Sequence, residues 1–212
     1  FGDGAIRIMP ENIVDSNQTD NSTNNPGKLS SLDEAKQIAL EVISVFEGGR
    51  ACGDKDGAGM SLGFLQWNFG TGNLQPMLLD MANGSTTPGS GSDFDSIFNF
   101  IDPATNKKGY DVLREILNSP KTKQMEWAKS ISTYDNRNLL KEPWQSAFDS
   151  MLTNEKFIKI ENNAAEYYIN NAVSIMKNDL GLETVRGYTL AFDISVNNGS
   201  IKDESKKLAI NA

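Results

Sequence analysis

Three side chains in the first third of this chain have the types and spacing for acid and base chemistry: Glu47, Asp56 nine positions on, and Ser61 five beyond that. A protonated carboxyl can hand its proton to a leaving oxygen while a second carboxylate takes one from water. A hydroxyl near the second carboxylate can hold that water in line. Direct attack by Ser61 or Cys52 is a poor alternative, because the chain has no histidine and neither residue has a lysine in a supportive motif to act as its base.

These groups have to be carried by a helix and a ribbon. Ser31 opens a Ser-x-x-Glu capping box with Glu34, and Ala35, Ile38, Ala39, Val42 and Phe46 then recur on one helical face. Gly48 and Gly49 stop that helix, so Glu47 falls in its last turn. There the negative end of the helix dipole and the apolar wall of Phe46 both disfavour ionisation, which suits a general acid. After the stop, Gly57, Gly59 and Gly63 alternate with Met60, Leu62, Phe64 and Trp67, a pattern for a hairpin or bulged ribbon rather than a helix. Such a ribbon can set Asp56 across a cleft from Glu47. Inverting glycoside hydrolysis uses these parts, with about 6.5–9.5 Å between the carboxyl groups to admit the water.

Each of these residues also has a plainer reading. A helix-terminal glutamate is commonly a solvated charge, and Asp54, Asp56 and Gly57 are turn chemistry. Asp-Lys-Asp-Gly starts like a calcium loop but lacks the later ligands and the closing glutamate, so no metal and no cofactor is expected. Phe64 and Phe69 read as core residues of the ribbon. Trp67, between Gln66 and Asn68, has the apolar face and neighbouring amides that a sugar subsite needs. Asp193, between Phe192 and Ile194, reads as a buried carboxylate tying its helix to the glycine-rich loop.

The run from Phe46 to Leu74, with its FE start, GDKDGAGMS turn and GF followed by FGTGNL, resembles the chitosanases of glycoside hydrolase family 46, members of the lysozyme superfamily. Anchored on Gly70-Thr71-Gly72, the resemblance implies that Glu47 is the general acid and Asp56 the base. Ser61 then stands for the threonine that helps hold the attacking water. A second block, Ala191 to Gly199, is similar to that family's helix ending in Asp-x-x-Val-Gln-His-Gly, with Asn197 and Asn198 in place of Gln and His. The spacing between acid and base is about half that family's and closer to that of phage-type lysozymes. The segment Ser61 to Asn68 is also similar to the SLGxxQW strands of peptidoglycan-cleaving phage and secretion-system proteins. Together these imply a mainly α, α+β lysozyme-like domain acting on peptidoglycan or, alternatively, chitosan. Asp54, Gln66, Trp67 and Asn68 are assigned to the sugar subsites. A non-catalytic wall-binding or tail-type structural domain and a delivered effector with an inhibitory immunity protein are the competing roles.

Composition sets the frame. With 212 residues, 38% hydrophobic and 23% charged, the chain suits one globular domain with a substantial core. A net charge of −8 and a pI near 4.6 argue against nucleic acid and against a basic membrane-binding patch. The acidity would complement a cationic polymer such as chitosan. The single Cys52 excludes an intrachain disulfide, and no apolar run is long enough to span a membrane. The chain starts at Phe1 without an initiator methionine, which leaves a removed signal peptide or an upstream domain open. Export to a periplasmic or extracellular site is the expectation.

The polar tract in residues 1–30 is expected to be a tether, possessing nothing to bury, and the catalytic domain is placed at 31–212. Asn83 to Ser92 reads as a polar loop. Helices are expected over Asp93 to Phe100, Tyr110 to Leu117, Thr122 to Ile131, Glu142 to Leu152, Asn154 to Leu180 and Glu183 to Asn198. The longest carries an apolar stripe of Phe157, Ile160, Ala164, Tyr168, Ala172 and Met176.

Overall fold

The computed structural model describes residues 50–133 and 139–210. The polar tract, the Ser31 capping box and Glu47 lie outside the described residues. Within them the chain is mainly helical with one small antiparallel sheet. Strands β1 (Ser61–Leu62) and β2 (Trp67–Asn68) come first, then α1 (Leu74–Asn83), α2 (Ser90–Ile97), α3 (Gly109–Leu117) and α4 (Lys121–Ile131). They are followed by α5 (Trp144–Leu152), α6 (Glu155–Ser174), α7 (Val185–Asn198) and α8 (Asp203–Ile210).

Helices α3 to α7 follow the apolar periodicity closely. Asn154 caps α6, accepting from the Lys156 and Phe157 N–H groups, and Thr184 caps α7 by accepting from Gly187 N–H. The expected continuation to Leu180 is present as a π-helical turn, Ile175–Asp179. Helix α2 begins three residues before the expected Asp93. Helices α1 and α8 were not expected. Pro76 and the preceding glycines mask α1 in the sequence, yet a proline in the first turn removes no helical hydrogen bond. Its Leu74, Met77, Leu78 and Met81 are all buried.

Helix α6 packs against α1, α5 and α7. Its buried face is wider than the single stripe suggests, with Phe157, Ile160, Glu161, Ala165, Ile169 and Ala172 all inside. Aromatic packing holds α2, α4 and α5 together: Trp144 meets Trp127 edge-on at 5.0 Å, and Phe98 meets Phe148 at 5.1 Å. Such pairs contribute about 0.5–1.5 kcal/mol each beyond burial. No helix among the described residues is long and apolar enough to cross a membrane.

Candidate functional site: a bulged ribbon seated on a buried glutamate

The ribbon begins where the described chain begins. Ala51 is pinned on both sides by α5: its N–H donates to Asp149 and its carbonyl accepts from Gln145 Nε2, which also bonds the Asp149 carboxylate. Cys52 then pairs with Ser61 through two backbone bonds of 2.9 and 3.0 Å. On its other side Ser61 faces Asn68, and Leu62 faces Trp67. The pairing continues outward through Phe69 N–H to Met60 O and Gly70 N–H to Ala58 O. Between these two bonds the first strand has one extra residue, Gly59, with φ of 79°. This is a bulge, and glycine suits its left-handed backbone.

The two faces of the ribbon differ, as alternation requires. Leu62 and Trp67 point into the core, with Trp67 only 3% exposed and its ring 5.8 Å from that of Tyr168. Ser61 and Asn68 are half-buried on the other face. Ser61 Oγ donates to Gln66 Oε1 at 2.8 Å, and Gln66 Nε2 donates back to Gly63 O at 3.1 Å. Gln66 adopts φ of 50°, one of two non-glycine residues with positive φ among those described. That conformation costs roughly 1–2 kcal/mol and persists only where surrounding contacts impose it.

The expected site residues therefore divide. Asp56 is exposed, with one carboxylate oxygen accepting the Ala58 N–H at 3.0 Å. Because Ala58 also bonds Gly70, Asp56 is anchored at the base of the ribbon that carries Ser61 and Gln66. Asp54 is buried, its carboxylate accepting from Gly59 N–H while its own N–H donates to Ser132 Oγ at the end of α4. Asn68 spends its side chain on the following turn, accepting from Thr71 N–H and Thr71 Oγ1 and donating to Gln66 O. Trp67 supports the ribbon from the core side, and with this burial it presents no face to solvent. Glu47 lies outside the described residues, four positions before Ala51.

One expectation needs correction. Asp193 is exposed, and it accepts a hydrogen bond from Asn197 Nδ2 one turn along the same helix. The buried face of α7 runs through Tyr188, Ala191, Phe192 and Ser195, which turns position 193 outward. The buried carboxylate that ties a helix to the glycine-rich ribbon is Glu161 of α6. Its Oε1 accepts the Phe64 N–H at 2.9 Å and the Trp67 indole N–H at 3.2 Å. Gly63 lies directly against it: a Cβ there would come within 1.8 Å of Oε1. The sequence contained a signal for Glu161, a charge in the four-residue row Phe157, Glu161, Ala165, Ile169.

Burial pushes the Glu161 carboxyl up from 4.5 to about 7, only partly countered by its two N–H donors. A carboxyl that holds its proton more tightly when folded stabilises the fold fully below its unfolded value. That contribution is lost as pH rises through the folded value. Between pH 5 and 8 the loss is on the order of 2–3 kcal/mol, or roughly 5–10 °C in Tm for a domain of this size. The chain has no histidine, the side chain whose ordinary value falls in that range. Asp93 and Glu115 are held below the usual carboxylate range by their lysine and asparagine partners and act at lower pH. Burial raises Cys52 and Tyr188, which act at higher pH. Melting curves should thus fall from pH 5 to 8 for the wild type and stay nearly level for Glu161→Gln; parallel slopes would contradict this.

No family model matches the chain, and no curated protein or solved structure matches it.

Proposed function

We propose that this protein is a glycoside hydrolase of lysozyme-like architecture that cleaves β-1,4-linked amino-sugar polymers, peptidoglycan foremost, by a single displacement. Glu47 protonates the glycosidic oxygen, and Asp56 takes a proton from water on the opposite face of the sugar. Ser61 orients that water, and Gln66 contributes an amide to the subsite. The observation that carries the reading is the bulged ribbon, which anchors the exposed Asp56 at its base and holds a bonded Ser61 and Gln66 pair on its outer face. Asp54, Trp67 and Asn68, first assigned to the sugar, serve in this reading as the frame of the ribbon. Export to the cell wall belongs to the same proposal, since the polymer is found there.

Chitosan is the second reading, favoured by the net charge of −8, which complements a cationic polymer. Purified protein incubated with peptidoglycan and with chitosan should release reducing ends, more from the former. Single displacement on a β-linked chain leaves the new end first as the α-anomer. Proton NMR of the earliest products, read before mutarotation, would show it. A β-anomer signal appearing first would sink the single displacement, and no release from either polymer would sink the proposal.

A further inference from the structure

We infer that Glu161 is a positioning residue for the Ser61 and Gln66 pair, holding the hairpin turn that keeps Gln66 in its left-handed conformation. This rests on the reading of that pair as part of a hydrolytic site. The turn comprises Gly63, Phe64, Leu65 and Gln66, closed by Gln66 N–H to Gly63 O. Glu161 grips it at three places. Oε1 takes the Phe64 N–H two residues before Gln66 and the Trp67 indole one residue after it, and Gly63 is packed flat against the carboxylate. Gln66 is therefore flanked by two contacts to one oxygen atom of α6, the Phe64 N–H 97 positions from Glu161 and the Trp67 side chain 94 positions from it. An ionised acceptor makes shorter and stronger bonds to N–H donors than a neutral one, so loss of the proton tightens this grip on both donors.

The charges around Glu161 leave it to set its own state. The ribbon carries no titratable side chain between Gly57 and Leu79. Asp80 of α1 is engaged by Thr86, and Lys156 on the preceding turn of α6 is paired with Asp93. Asp149 of α5 is held by Ala51 and Gln145, and Asp193 of α7 by Asn197. None of these is among the causes that move Glu161, which are burial and its two donors. Glu47 lies outside the described residues, and the Glu47→Gln protein is therefore the control for any shared titration.

The test is a pH titration of ¹⁵N-labelled protein followed by kinetics. The chain has three tryptophans, so the indole N–H of Trp67 is identified by its loss in Trp67→Phe. The Trp67 indole and the Gln66 backbone amide should shift together with a midpoint at about 7, in wild type and in Glu47→Gln, and neither should shift in Glu161→Gln. Glu161→Gln should also lower kcat by about 10- to 100-fold with KM within about twofold, the mark of misplacement rather than lost binding. A Trp67 titration without a Gln66 response would overturn the inference, as would an unchanged kcat and pH profile in Glu161→Gln. Should that variant fail to fold, the wild-type titration decides alone. A wild type inactive on both polymers overturns the hydrolytic reading, while the shared titration still tells whether Glu161 controls the turn.

Discussion

Glu47→Gln is expected to lower hydrolysis by roughly 10²–10⁴-fold and to leave the melting curve where it was, the usual scale for removing a general acid. The amide keeps the size and polarity of the side chain and cannot supply the proton that the proposed mechanism requires of Glu47. The effect should fall on kcat and kcat/KM together, because proton transfer contributes in the transition state and little to substrate binding. The connection between Glu47 and the ribbon is short: Ala51, four positions on, is clamped through both its N–H and its carbonyl by Asp149 and Gln145. Near-normal turnover of Glu47→Gln, with an unchanged melting curve, would remove Glu47 from the mechanism.

Asp56→Asn should be nearly as severe, a loss of the order of 10²-fold or more, since the amide cannot accept a proton from water. Asp54→Asn, two positions away, should behave in a different manner. Asp54 is buried, and its carboxylate secures the Gly59 N–H at the bulge. Weakening that bond is a matter of stability, about 1–3 kcal/mol, with most of the activity kept in the folded fraction. Activity assays at a temperature well below both melting transitions separate the two. The opposite ranking would show that Asp54 reaches the chemistry and that the alignment on Gly70-Thr71-Gly72 is out of register.

Much of the frame is legible in the sequence. The 3.6-residue spacing of Phe157, Ile160, Ala172 and their neighbours marks α6, and Gly57, Gly59 and Gly63 interleaved with Met60, Leu62, Phe64 and Trp67 mark the ribbon. The positive φ of Gly59 and Gly63 is of the kind that glycine-rich spacing announces. Chemistry by a histidine triad was excluded by the absence of histidine. Helix α1 was hidden because Pro76 and its glycine neighbours carry the local signal of a loop, while burial of Leu74, Met77, Leu78 and Met81 outweighs it.

What the sequence by itself determined is where most of the helices run and where the ribbon lies. Only the tertiary structure decided what each face meets. Trp67, between two amides, reads in the sequence as a sugar platform, whereas in the fold Tyr168 and Glu161 lie against it. Asp193 and Glu161 are both carboxylates in apolar helices, and their fates are opposite: one turns to water and the other is sealed beneath the ribbon. The physical reason is that periodicity records burial along one element, whereas a carboxylate stays buried only if a second element brings donors to it. Here those donors are the Phe64 N–H and the Trp67 indole, separated from Glu161 by 97 and 94 positions of chain.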